Sequence, residues 1–426
     1  MKLTTGLSKW SSRKKVEVPE KNVIIFDPES AGHRLAYISV FLKYIQQHPL
    51  GCRIIFCIPE ELKVPVLDAA KQYPSRENDV EVTLLTKPET RACRSKSIVA
   101  KSISNWMVML RYALRYRAGH CHHLQMDIIQ LPLALRFFVP KSVSISGILF
   151  RPTIHYPSIG CAPRGFKEAL RYREKKVLVE RMLGHKALQR VFTLDGVFAE
   201  YAKAHLKHGH KCMPLPDPCL FPTAAAIDAP RRKEGRTVFL LFGSLARRKG
   251  IFATLDALRR VDHEHANKMV VVFAGKLVDG DRTLFLRQFN QVRSSTSATL
   301  QLFDRYIDDE ELGCLIKSCD VVLAPYQRFV GSSGVLFWAA GAEKPVITQD
   351  YGLVGHLTNK YKLGVTTDTT RPEDIASAMT RCVIDSPGNL LRPGSSQLLV
   401  AKNTAEAFAS TLLNGIADSC SDGHTE

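Results

Sequence analysis

Short apolar runs alternate with amphipathic stretches along almost the whole chain. Asn22–Phe26, Cys52–Ile58 and Val80–Thr86 are apolar runs bounded by turn or charged residues, the pattern of strands buried on both faces. Residues 35–47 and 60–72 repeat their apolar positions at helical spacing between those runs. Weaker strand signals follow at His122–Met126, Ser142–Phe150 and Arg190–Leu194. The second half repeats the scheme more clearly. Strands are predicted at Thr237–Phe242, Met269–Ala274, Thr299–Phe303, Val321–Ala324 and Pro345–Ile347, with helices over 248–261, 282–293, 308–318, 334–342 and 372–384.

Strands alternating with helices, twice over, predict an α/β protein of two Rossmann-like, doubly wound domains facing a central cleft. A length of 426 residues suits that count. The boundaries expected from the pattern are an arm at 1–21, a first domain at 22–213, a Pro-rich linker at 214–235 and a second domain at 236–398. A helix at 399–416 and a polar tail at 417–426 complete the chain. Pro214, Pro216, Pro218, Pro222 and Pro230 stiffen the linker.

Charge changes the picture. Residues 1–216 hold 35 Lys and Arg against 17 Asp and Glu, so the whole net charge of +18 lies there; residues 217–426 are balanced at 24 against 24. Such asymmetry concerns partners rather than fold. It points to an anionic partner of the first half: an acidic lipid surface, an acidic or phosphorylated acceptor, or nucleic acid. Two basic helical stretches, 106–117 and 167–186, mix Arg and Lys with large apolar residues. They read either as core-packed helices with a solvated charged face or as a cationic surface drawn to anionic lipid. No nucleic-acid motif accompanies the charge, so nucleic acid ranks last among the partners.

No apolar run approaches the ~20 residues needed to span a bilayer, and the basic N-terminus lacks the apolar core of a secretory signal. The eleven scattered cysteines read as reduced thiols, which suits a cytoplasmic protein, with attachment to a membrane left open. His120, Cys121, His122 and His123 are adjacent, but no Cys-x2-Cys spacing accompanies them, and no metal or cofactor is expected.

Two segments carry chemistry. In the first, a predicted strand ends at Gly243-Ser244, a short turn follows, and Arg247, Arg248 and Lys249 open the next helix. Gly243 lets a ligand approach the backbone, and Arg248 and Lys249 can neutralise a diphosphate. In the second, Gly331, Ser332, Ser333, Gly334 and Val335 join a loop to a helix whose N-terminus favours an anion. A purely structural alternative stays open for each: a basic strand-turn-helix, and a loop with an N-cap at Ser332 or Ser333.

Together these segments resemble the donor-binding domain of GT-B fold, group 1 (family 4-like) glycosyltransferases. Lys249-Gly250 matches that family's lysine-glycine pair, and the likeness runs on through Val271–Gly275 and Asp320–Pro325 to Val346. It covers about a quarter of the chain well and the second half loosely. It departs at the family's Glu-x7-Glu pair, whose positions hold Val330 and Trp338, and at Ser244, where an arginine is frequent. Glu343 lies five residues past Trp338, either on the surface or as a relocated polar contact.

The resemblance implies a nucleotide-diphosphate sugar as donor substrate, retention of configuration and no metal. Arg248 and Lys249 would stabilise the leaving group, while Gly243, Ser244, Gly275 and Gly331–Val335 would bind the donor. In the first half, Gly32-His33 is similar to the family's first loop. Arg151 and His155 follow a strand end and are candidate catalytic residues; Asp127 is a candidate cleft residue. Ser146 stands where the family often has a histidine. The acceptor is unspecified, and a catalytically silent scaffold of the same fold is the competing reading.

Overall fold

The computed structural model describes residues 21–30, 34–75, 79–162, 165–221 and 235–421. Two all-parallel sheets organise the chain. The first contains β1 (Asn22–Phe26), β2 (Arg53–Ile58), β3 (Val80–Leu84), β4 (Ala118–His123), β5 (Ser144–Ile148), β6 (Leu188–Thr193) and β7 (Cys212–Pro214), in the order β3-β2-β1-β4-β5-β6-β7. The second contains β8 (Thr237–Phe242), β9 (Met269–Ala274), β10 (Thr299–Phe303), β11 (Val321–Ala324), β12 (Val346–Gln349) and β13 (Gly364–Thr367), in the order β10-β9-β8-β11-β12-β13. The order reverses beside β1 and beside β8, and such switch points open crevices at strand C-terminal ends.

In the first domain the helices are α1 (Arg34–Gln47), α2 (Lys63–Gln72), α3 (Lys87–Cys93), α4 (Ile98–Arg115), α5 (Gln130–Ala134), α6 (Phe166–Leu183) and α7 (Gly196–His205). Around the second sheet lie α8 (Ile251–Leu258), α9 (His263–Asn267), α10 (Asp279–Ser295), α11 (Asp309–Ser318), α12 (Gly334–Gly341), α13 (Gly352–Tyr361), α14 (Pro372–Ile384) and α15 (Ser395–Lys402). A last helix, α16 (Ala405–Ser421), leaves that domain altogether. Each sheet buries apolar side chains on both faces, giving two core layers per domain. The doubly wound α/β expectation is met, with both domains built from parallel strands.

Several boundaries differ from the sequence pattern. β4 runs over Ala118–His123 rather than His122–Met126, because its three buried histidines hide the strand from an apolar count. β7, at three residues, is too short to announce itself, β13 is short and half threonine, and Pro214 sits at the end of an edge strand, where its missing donor is tolerated. The expected helix at 399–416 divides at Asn403-Thr404 into α15 and α16, and α16 continues to Ser421. Its Phe408 packs on Tyr37 and Phe41 of α1, with ring centroids 4.7 and 5.4 Å away. Burying that ring contributes about 1.5–3 kcal/mol and fastens the chain end to the first domain.

Candidate functional site

Three backbone features at the C-terminal ends of β8, β9 and β11 shape the floor of the site. Gly243 turns the chain after β8 at φ +97°, and Gly275 does so after β9 at φ +138°. The two glycines touch: a Cβ on Gly275 would lie 2.0 Å from the Gly243 carbonyl oxygen. Gly250 (φ +80°) fits against Pro325, whose carbonyl oxygen a Cβ would approach to 2.1 Å. Glycine at these positions lets three strand ends converge without side chains between them.

Lys249 lies over this floor. Only 9% exposed, it sends its ammonium back toward Gly243, where an added Cβ would stand 3.6 Å from Nζ. Nζ donates to Tyr326 Oη at 2.8 Å and lies 4.7 Å from the centroid of that ring. Tyr326 Oη in turn shares a 2.6 Å hydrogen bond with Ser333 Oγ. The two sequence segments therefore meet through one buried tyrosine. Among the described residues no carboxylate forms an ion pair with Lys249, and a buried cation without a counter-ion is costly.

The N-terminus of α12 faces the same space. Ser333 occupies the N-cap position, yet its hydroxyl is held by Tyr326 and makes no capping bond. Ser332 does not cap either, since its Oγ donates to Asp217 of the inter-domain segment. Gly334 is exposed, with nothing within 4 Å of where a Cβ would be. Gly331 lies at the domain boundary, its added Cβ 3.9 Å from Tyr156 Oη of the first domain. Val335 is buried in the core beneath. An N-terminus left uncapped by both serines and beside an ammonium is electropositive and can take an anion.

The other cations separate into two groups. Arg248 is exposed, with its guanidinium 5.7 Å from the Phe329 ring centroid at the edge of the site. Arg247 turns away: its Nε lies 3.6 Å from Asp281 and its guanidinium 4.4 Å from the Phe252 ring centroid. Ser244 is exposed beside Gly243. At the positions of the missing glutamates, Val330 uses its carbonyl to accept from Leu353 N at 2.9 Å. Trp338 is buried, edge-on to Phe221 with centroids 5.7 Å apart. It is a core residue. Glu343 stands on the surface, bonded to Gln397.

Residues from the first domain fare differently. Gly32 and His33 lie outside the described residues. Asp27, just before them, is buried and ion-paired with Arg34 at 3.0 Å, and burial pushes its carboxyl up to about 6. Asp127 accepts from Phe150 N (2.8 Å) and Arg151 N (3.0 Å), so it ties down the chain after β5. The Arg151 side chain is exposed. His155, expected from its place after a strand end as a candidate catalytic residue, is instead fully buried, 2.9 Å from Asp195 and packed on Tyr156 and Phe198. Asp195 also accepts from Tyr156 Oη at 3.0 Å and from Phe198 N, capping α7. His155 thus holds the wall that carries Tyr156.

The histidines of β4 are structural too. His120 and His122 share Ser146 Oγ at 2.6 and 2.8 Å, His120 also meets Ser144, and His123 meets Asn105. Burial holds all three well below the usual imidazole range, at about 3 for His120 and His123, so they are neutral. No group of three metal-ligating side chains occurs among the described residues. Sequence reasoning missed Tyr326 and Asp217. Tyr326 follows Pro325 just past the end of β11, a position that faces a crevice; Asp217 is a lone acid between Pro216 and Pro218.

Residues 224–392 match the family model described as glycosyl transferases group 1. No curated protein matches the chain by sequence. Among solved structures, a glycosyltransferase from Rickettsia africae superposes with a TM-score of 0.61 at 11% identity, covering 94% of this chain and 99% of the other. Sucrose-phosphate synthase from Thermosynechococcus elongatus gives 0.62 at 14%, covering 92% and 97%. Anabaena HepE in complex with UDP gives 0.56 at 12%, covering 94% and 99%. The fold is GT-B, and its second domain carries the group 1 glycosyltransferase signature.

Proposed function

We propose that this chain, a GT-B protein whose second domain is of the group 1 glycosyltransferase type, transfers a sugar from a nucleotide-diphosphate sugar to an acceptor held by its basic first domain. The carrying observation is the buried Lys249 ammonium, which has no carboxylate partner among the described residues and lies between the Gly243 turn and the uncapped start of α12. A diphosphate supplies the charge this arrangement lacks. Anabaena HepE is described with UDP, which favours a nucleoside diphosphate as the bound group.

In the reaction, the anomeric C–O bond to the diphosphate breaks as a bond to an acceptor hydroxyl forms, and the hydroxyl proton leaves with the diphosphate. Lys249, Arg248 and the α12 N-terminus stabilise the charge developing on the leaving group. These groups do so without a metal ion. Gly243, Ser244, Gly275 and Gly331–Val335 form the donor seat; retention of configuration follows the family. Closure of the domains over the donor, where Gly331 neighbours Tyr156, limits its hydrolysis. The basic first domain suits an anionic acceptor or a membrane-bound one, with the protein peripheral to the cytoplasmic face.

A second reading has its own observation. Val330 and Trp338 supply no carboxylate to the sugar or ribose, and Trp338 is committed to the core. A binding protein that holds the nucleotide without turnover accounts for both. A melting-temperature screen with UDP-, GDP-, ADP- and CMP-sugars separates the outcomes, because a ligand specific to the native state raises apparent stability. Stabilisation with consumption of donor by an acceptor panel supports transfer, and stabilisation alone supports the silent protein. No stabilisation by any donor removes both.

A further inference from the structure

On the first domain, far from the donor seat, an apolar groove adjoins a cationic depression. The groove, of about 540 Å³, is lined by Trp106, Met107, Leu110, Leu114, Phe137 and Phe138. Phe138 is 80% exposed, Met107 64% and Leu114 59%. Such large side chains are ordinarily scattered on a soluble surface; gathered on one face they mark an interaction site. Leu114 is shared with a second depression of about 510 Å³, whose rim carries Arg117, Lys141 and Lys186. Arg117, Lys141 and Lys186 are exposed and form no ion pair among the described residues.

The depression opens at the N-terminal ends of β4 and β5, where Ala118, Gly119 and Ser144 line it. The chain that leaves the C-terminal end of β5 carries Tyr156, which neighbours Gly331 of the donor seat, so this surface, at the N-terminal strand ends, is at the opposite pole of the first sheet. α4 descends antiparallel to β4 and presents Met107, Leu110 and Leu114 along one side, spaced at helical intervals, with Arg111 among them paired to Glu89. The loop after α5 adds Phe137 and Phe138 as a second apolar ridge, with Lys141 just beyond.

We infer that this face docks on an anionic lipid bilayer: Phe138, Met107 and Leu114 enter the acyl boundary while Arg117, Lys141 and Lys186 meet headgroup phosphates. Charge complementarity selects this occupant, since a protein partner of ordinary surface would leave three neighbouring cations uncompensated. The inference names the surface for the peripheral attachment proposed above, and it separates attachment from donor binding. Because the docking face is remote from Gly243 and Lys249, docking and donor binding are independent.

The test is co-sedimentation of the full chain with vesicles of phosphatidylcholine alone and of phosphatidylcholine with phosphatidylglycerol. The expected result is binding to the acidic vesicles only, lost between about 0.1 M and 1 M salt as the Debye length falls from ~10 to ~3 Å. Phe138→Asp and the pair Arg117→Ser, Lys141→Ser are each expected to weaken it, the pair by roughly 25-fold at about fivefold per cation. Lys249→Met should leave vesicle binding unchanged, and the surface variants should keep the thermal response to nucleotide sugar. That response also shows that they fold. Equal binding to neutral vesicles, no vesicle binding, or binding that survives both surface variants overturns the inference. So does a dimer that Phe138→Asp converts to monomer, which would make the groove a self-association face.

Discussion

Replacing Lys249 with methionine separates a ligand-binding role from a structural one, because the two predict opposite changes in stability. The substitution keeps an unbranched side chain of similar length and removes the charge. In the free protein that charge is nine-tenths buried, donates to Tyr326 and has no ion-pair partner among the described residues. Tyr326 has a second partner, Ser333, so its hydroxyl is not left unpaired by the substitution. Removing a buried charge without a counter-ion is worth about 1–2 kcal/mol of added stability, on the scale of buried ionic groups exchanged for apolar ones. For a domain of this size that raises the melting temperature by roughly 3–6 °C. The donor complex loses a desolvated charge pair worth about 2–4 kcal/mol, so affinity for nucleotide sugar falls roughly 30- to 900-fold. Differential scanning calorimetry of the free protein and titration of the donor read the two effects separately. A free protein that melts several degrees lower, with donor affinity intact, would refute the reasoning and make Lys249 a structural residue.

Three further outcomes follow. Trp338→Glu places a carboxylate where the resembled family has one, but it buries an unpaired acid against Phe221 and Phe242 and should cost at least about 4 kcal/mol. An unchanged melt with tighter donor binding would show that the side chain reaches the ribose after all. Gly275→Ala places a Cβ 2.0 Å from the Gly243 carbonyl oxygen at φ +138°, so a loss of about 3 kcal/mol or more is expected, together with donor binding; wild-type behaviour in both would dissolve the proposed floor. Acid should destabilise the protein. His120, His122 and His123 are held neutral, so the unfolded chain binds more protons once pH falls below about 6.5, at a cost on the order of 2 kcal/mol at pH 5 for each of His120 and His123. Asp27 and Asp217, raised to about 6, act the other way, each returning about 1 kcal/mol over that interval. The net expectation is a loss of stability between pH 7 and pH 5, read from urea midpoints; an unchanged or higher midpoint at pH 5 would contradict it.

Much of the fold was legible because the strands that carry the sheets are apolar on both faces. Asn22–Phe26, Thr237–Phe242 and Met269–Ala274 appear at the residues their apolar runs mark. β4 was displaced because His120, His122 and His123 look polar while being buried through mutual hydrogen bonds with serines and Asn105. The return of α16 to the first domain depends on Phe408 meeting Tyr37, a contact across the length of the chain that no local pattern encodes. Gly243, Lys249 and the α12 start were visible as motifs, yet what joins them, Tyr326, bears no motif and was found only in three dimensions. His155 misled for the reverse reason. Its place after a strand end suggested a cleft, but Asp195 and three aromatic rings enclose it.

The most direct measurement is calorimetric titration of the wild-type chain with UDP, GDP, ADP and CDP beside their parent nucleosides. A diphosphate held by Lys249, Arg248 and the open end of α12 predicts one-to-one binding of at least one nucleoside diphosphate and far weaker binding of its nucleoside. A nucleoside that binds as tightly as its diphosphate, or a chain that binds none of them, would contradict the account.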